Sequence, residues 1–359
     1  MPAHPPAVAA NAMVATSHPL ATRAGLRMLE RGGNAADAML AAAAVLCVGE
    51  PLATGVGGDM FALVWRDGEL RGLDAAGPAP RSAAPLTPVD LDGPRSVTAP
   101  GAVAGWDELA RTHARFGLDV HLADAIDAAE NGVAVTPHVA RSIGRRVGER
   151  YTAPELARTL RTIAEHGPDG FYRGPIADAI VAASWLEQED LDAVETRWVE
   201  PLHIDYRGVT VVELPPPTQG IAALEALALL ALGEPTLEAQ VDCVRLALAD
   251  AFANVRDGAD VTHLLQPSYL EQRRRETALA AEPPAGTVYL CAVDADGMAV
   301  SFIQSLYEGR GPLAGNTGIQ LQNRGAGFAV IGASKAALTI SSPIRIRSRR
   351  NARSWMVRP

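Results

Sequence analysis

A threonine that directly follows a glycine and opens a β-prone run suggests one specific chemistry. In Pro284-Ala285-Gly286-Thr287-Val288-Tyr289, attack of the Thr287 hydroxyl on the Gly286 carbonyl would shift the acyl group from nitrogen to oxygen. Hydrolysis of the resulting ester would split the chain and leave Thr287 with a free α-amine. That amine has an unperturbed pKa of about 8 and can take the proton of its own residue's hydroxyl, so one residue supplies both nucleophile and base. Gly286 tolerates the strained backbone that such a shift requires. Taken alone, the same pattern also fits a β-branched residue in a favourable place at the start of a strand, and that is the commoner occurrence.

Other chemistries find less support. The eight histidines, among them His138 and His263, show neither HExxH nor paired-ligand spacing, so no metal site is expected. No GxSxG elbow is present. Gly55-Val56-Gly57-Gly58-Asp59 matches neither GxGxxG nor GxxxxGK[ST] and runs into a strand, which reads as a backbone turn in preference to a phosphate cradle. Asp294 and Asp296 lie in a four-residue turn ending in Gly297, where turn chemistry accounts for them better than an acid–base pair does.

Around these residues the chain alternates helical and strand patterns. Residues 21–31 carry apolar side chains at helical spacing and stop at Gly32-Gly33. Asn34 can cap the next helix, residues 35–48, which is alanine-rich and nearly uncharged on every side and should therefore be buried between layers. Residues 60–65 and 69–73 read as a hairpin about Asp67-Gly68. Residues 107–131 and 153–188 read as helical, 206–214 as one strand closed by Pro215-Pro216-Pro217, and 221–232 and 242–253 as helices. Residues 288–293 and 298–307 form a second expected hairpin.

The 359 residues are 48% hydrophobic and 20% charged, enough for one large or two ordinary domains with a real core. A net charge of −9 argues against a general nucleic-acid binder. Cys47, Cys243 and Cys291 are too few and too scattered for a disulfide framework. Residues 1–22 lack the basic patch and apolar run of a secretory signal, and the longest apolar stretch, residues 38–49, is too short to span a bilayer. A cytoplasmic location without membrane or nucleic-acid partners is expected. Residues 331–359 differ from the rest, with Lys335 and six arginines and no acid.

Several segments together resemble the γ-glutamyltransferase family of N-terminal-nucleophile hydrolases, including its acylase-like bacterial branch. They are Arg31-Gly32-Gly33-Asn34-Ala35-Ala36-Asp37-Ala38, Glu50-Pro51 through Gly55 to Phe61, Val97-Thr98-Ala99-Pro100-Gly101-Ala102-Val103-Ala104-Gly105-Trp106, Trp198-Val199-Glu200-Pro201 to Asp205-Tyr206-Arg207-Gly208, Gln219-Gly220, Thr287 to Asp296-Gly297, and Asn316-Thr317-Gly318-Ile319 to Gln322-Asn323-Arg324-Gly325-Ala326-Gly327-Phe328. The resemblance implies an α+β fold, the four-layer αββα sandwich, incomplete at the C-terminus. It divides the chain into a large-subunit-like region (1–286), the start of a small-subunit-like region (287–330) and an atypical basic tail (331–359).

In that family such a threonine is both the autocleavage site and the nucleophile. The resemblance thus implies scission between Gly286 and Thr287, subunits that stay associated, and transfer of a γ-glutamyl or related acyl group from a small amide to water or an amino acid, without a metal or organic cofactor. It places Ser305 where the family keeps a second hydroxyl that hydrogen-bonds the nucleophile; a plain strand serine fits that position equally well. Tyr307, Arg324 and Arg81 are the implied substrate-binding residues.

Three departures qualify the expectation. After the first hairpin, where the family has a carboxylate-clamping arginine, the chain reads Leu73-Asp74-Ala75-Ala76-Gly77-Pro78-Ala79-Pro80 and Arg81 is the next arginine. Arg324 stands among residues where glutamyl-specific members keep acidic and amide groups. Past Phe328 the motifs end: Ser341-Ser342-Pro343 resembles the family's serine pair but comes too early, and no glycine pair follows. An inactive, truncated homologue is the alternative these departures raise.

Overall fold

Glycine and asparagine punctuation sets the first helical layer. Helix α1 (Pro19–Glu30) starts on His18, whose Nδ1 accepts the Leu20 amide at 3.2 Å, and its exit passes through Gly32 at φ +88°. Helix α2 (Ala35–Gly49) starts in a capping box: Asn34 Oδ1 accepts the amides of Ala36 and Asp37, and Asp37 Oδ2 accepts the amide of Asn34 at 2.8 Å. All of α2 is buried. It packs against α1 and α4 (Leu118–Asn131) and also against two strands, so the expected position between layers is what the structure shows.

The computed structural model describes residues 7–83, 93–276, 287–329 and 339–340. The chain forms two units, one of residues 1–82, 91–197 and 286–323, the other of 83–90, 198–285 and 324–359. Gly286 and most of the basic tail, including Ser341-Ser342-Pro343, lie outside the described residues. Among those described, no helix is long and apolar enough to cross a membrane.

The first unit is built on an antiparallel sheet whose strands β1 (Met13–Ala15), β2 (Asp59–Arg66), β3 (Glu69–Ala75), β4 (Thr287–Val293) and β5 (Ala299–Ser305) lie side by side in the order β1-β4-β5-β2-β3. The β2–β3 connection is Asp67-Gly68, both at positive φ (52° and 84°), as a tight hairpin requires. Helix α2 lies against β4 and β5, and α3 (Ala102–His113) against β2 and β3. Val288, Leu290, Val300, Phe302, Met60 and Ala62 are accordingly buried at alternate positions. Strands from both sides of residue 286 therefore interleave: β4 and β5 are flanked by β1 and β2.

Two expectations are corrected. Residues 107–131 are not continuous helix, because the chain leaves α3 and Asp37 accepts the amides of Arg115 and Phe116 in the connection before α4 begins. In the second unit, the expected strand 206–214 is a hairpin, Leu202–Tyr206 paired with Val209–Glu213, turning through Arg207 (φ 52°) and Gly208 (φ 82°). The three cysteines are free thiols.

The second unit centres on helices Ile221–Ala231 and Leu237–Asn254, whose core includes Leu229, Leu246, Ala247 and Leu264. Within it Glu225 is fully buried, and neither carboxyl oxygen has a hydrogen-bond donor. Burial and the facing Asp250 carboxylate push its pKa up to about 9, against the opposing charge of Arg273. Arg273 Nε bonds Asp250 at 2.8 Å, so the arrangement closes when Glu225 holds a proton and donates it to Asp250. Unfolded, the same carboxyl ionises near 4.3. The folded state thus binds the extra proton between these values, and stability falls as pH rises through that window. Glu225→Gln keeps a donor without the proton. Its thermal midpoint should vary less between pH 5 and 9 than the wild type's and lie higher at pH 8. Parallel melting curves across that range would contradict the shared proton.

Candidate active site

The ends of β4, β5 and β2 place three polar residues in one row. Ladder register sets Thr287 opposite Ser305 and Ser305 opposite Asp59, so their side chains share a sheet face, opposite to the one α2 covers. Thr287 is exposed and donates from Oγ1 to Ser305 Oγ at 3.1 Å. Ser305 is buried, and its Oγ also accepts the backbone N–H of Tyr307 at 2.8 Å. The hydroxyl pair that the resemblance implied is present, because a seven-residue strand, a turn and a second seven-residue strand return the chain to its starting level. Tyr307 itself sits at φ +66°, a left-handed conformation that a bulky side chain rarely adopts.

The surrounding segments grip this row through backbone groups. Asp59 Oδ1 accepts the amides of Gly77 and Gly101, each at 3.0 Å, and Gln322 Nε2 at 3.0 Å. Gln322 reaches Ala99 O as well, at 3.2 Å, and its own amide donates to Gly57 O. Asn323, fully buried, accepts the Glu308 amide at 3.0 Å. Gly58 lies against the Ser305 carbonyl so closely that a Cβ there would fall 2.2 Å from that oxygen. Gly57, where a Cβ would fall 2.2 Å from the Gln320 carbonyl, and Gly58 therefore serve close backbone approach, in line with the turn reading of that loop.

At the far end of the hairpin, Asp294 accepts the amides of Asp296 and Met298 through Oδ1 and the Ala35 amide through Oδ2, all at 3.0 Å. This bears out its assignment to turn chemistry and adds a tie to the start of α2. Asp296 meets Arg115 at 2.8 Å instead.

Of the residues singled out from sequence, Thr287, Ser305 and Tyr307 come together. Arg81 has an exposed side chain and donates its backbone N–H to Asp190 at 2.7 Å. Asp74, in the segment where the family's clamping arginine was sought, is ion-paired with Arg197 at 2.8 Å. Arg324 opens a short 3-10 turn and groups with the second unit. Sequence reasoning missed Asp59 and Gln304. The available signal for Gln304 was a polar residue at a position that strand alternation assigns to the core.

Comparison with known proteins agrees with this picture. The sequence model of the family described as Gamma-glutamyltranspeptidase matches residues 21–357, beyond Phe328 where individual motifs end. The chain is 34% identical to the glutathione hydrolase-like YwrD proenzyme of Bacillus subtilis, over 89% of this chain and 71% of that protein. It is 32% identical to the oxamate amidohydrolase proenzyme of Klebsiella pneumoniae, over 91% and 73%. The crystal structure of cephalosporin acylase from Bacillus halodurans superposes with a TM-score of 0.82 at 39% identity, over 92% of this chain and 72% of that one.

The contact at Gly58 has a direct test. Because the obstructing atom is backbone, Gly58→Ala cannot be relieved by a side-chain rotation, and overpacking of this kind costs about 1–3 kcal/mol. A lowered thermal midpoint relative to wild type is expected, whereas an unchanged one would mean that the loop has slack.

Proposed function

The chain belongs to the gamma-glutamyltranspeptidase family, and from that premise we propose that it is an N-terminal-nucleophile amidohydrolase or acyltransferase that generates its nucleophile by cleaving before Thr287. The observation that carries this reading is the exposed Thr287 hydroxyl held on Ser305 Oγ at the first residue of a central strand. In the processing step, Thr287 Oγ attacks the Gly286 carbonyl, the peptide C–N bond breaks as the ester forms, and water hydrolyses the ester. In turnover, the freed α-amine takes the hydroxyl proton while Oγ attacks the substrate amide; the leaving amine departs with a proton and water or an amino acid resolves the acyl-enzyme.

Ser305 orients the nucleophile, and its own oxygen is held in place by the Tyr307 amide. Relatives named for glutathione, oxamate and cephalosporin substrates differ in their acyl groups, so amide cleavage is the common denominator and the acyl donor is a small amide. The interleaved strand order supports subunits that remain associated after scission, since β4 and β5 keep ladder partners on both flanks.

Denaturing gels with intact-mass measurement test the proposal. Two fragments meeting at Gly286 and Thr287 are expected, with Thr287→Ala remaining one chain; fragments that persist in the variant would implicate another protease, and a wild type that stays whole would overturn the reading. Ser305→Ala should slow cleavage about ten- to a hundredfold, the value of roughly 1.4–2.7 kcal/mol in the barrier. Rates on a γ-glutamyl anilide and a glutaryl amide then distinguish acyl donors.

A further inference from the structure

Gln304 occupies a position that strand periodicity reserves for an apolar residue. It pairs in register with Val288 on one side and Met60 on the other, on the face covered by α2 and α3, and is fully buried. Its amide is satisfied by three different segments. Oε1 accepts the indole N–H of Trp106 at 2.8 Å, while Nε2 donates to Thr54 Oγ1 at 2.8 Å and to Cys47 Sγ at 3.4 Å. The Cys47 thiol, which burial pushes up to about 12, keeps its proton and donates a hydrogen bond to Ala43 O within α2. Both amide hydrogens are therefore used, and the side chain has one orientation that satisfies every partner.

We propose that Gln304 is a positioning residue for the reaction: it fixes the last residues of β5 so that Ser305 Oγ meets the Thr287 hydroxyl. The inference rests on the reading of Thr287 as nucleophile. Gln304 immediately precedes Ser305, and the ladder ends at Ser305. Beyond it the chain turns through Tyr307. The same loop that supplies Thr54 also accepts the Leu306 amide, at Ala53 O, 3.2 Å. Residues on both sides of Ser305 are thus held by residues 53–54, one through its side chain and the other through its backbone. Trp106 and Thr54 come from two segments that carry the family resemblance yet have no contact assigned with the reacting hydroxyl, and their convergence on Gln304 gives those segments a role.

The test compares processing rate with folding in the full-length chain. Gln304→Met keeps the length of the side chain and removes the amide; Thr54→Val removes a single partner at the edge of the network. Precursor fraction against time, by intact mass, should show cleavage slowed tenfold or more in Gln304→Met and severalfold in Thr54→Val, at temperatures well below each variant's melting point. Wild-type rates in folded variants would overturn the inference.

Gln304→Glu gives a readout that a purely structural role would not move. Its introduced carboxyl, when protonated, can again accept from Trp106 and donate to Thr54, so cleavage relative to wild type should recover as pH is lowered. A constant ratio across pH would overturn the inference. Should Gln304→Met fail to fold, the Thr54→Val rate and the Gln304→Glu pH profile decide. A wild-type chain that never cleaves refutes the nucleophile reading itself, a result separate from any difference among these variants.

Discussion

The antiparallel register between Thr287–Val293 and Ala299–Ser305 is the constraint on which the rest of the site depends. Side chains alternate faces along a strand, so a slip of one residue would carry Ser305 to the helix-covered face and bring Gln304 into its place. The structure opposes such a slip from every direction. Asp294 closes the turn and ties it to α2, β1 and β2 flank the hairpin, and Gly58 lies close against the Ser305 carbonyl.

Alanine content and buried polar groups work together in this arrangement. Small side chains let α2 lie close to the sheet, and a helix buried along its whole length needs its leading amides satisfied without water. Asn34 and Asp294 supply those acceptors. Asp37 pairs with buried His121 at 2.9 Å; burial alone would raise its pKa, but hydrogen bonds from His121 and from the amides of Asn34, Arg115 and Phe116 hold it below the ordinary carboxylate range. The same carboxylate that caps the helix therefore shapes the connection from α3 to α4.

What was legible in the sequence was local. The Asn34 cap, the Gly32 stop, the Asp67-Gly68 turn and the buried alanine helix all depend on residues within a few positions of one another, and the structure contains them. The Arg207-Gly208 turn escaped notice because an arginine at positive φ carries no strong turn signature. Thr287 was reached from the Gly286-Thr287 pattern and the family resemblance, and Ser305 from the resemblance alone; the hairpin that joins them then brings them together. Gln304 and Asp59 were not reached, since their partners are distant along the chain: Trp106 is 198 positions from Gln304, Thr54 is 250, and Gln322 is 263 from Asp59. Nothing in the spacing of a single chain encodes such meetings; they follow from how the strands are ordered.

That ordering also bears on reversibility. While the chain is continuous, bringing β4 between its neighbours is an intramolecular event whose entropic cost grows only slowly with loop length. Once the backbone is severed ahead of β4, the two pieces must find each other by diffusion, and reassembly becomes second-order in concentration. The sheet that holds the pieces together would then be one that forms readily only once, in the intact polypeptide, and persists afterwards by kinetic trapping.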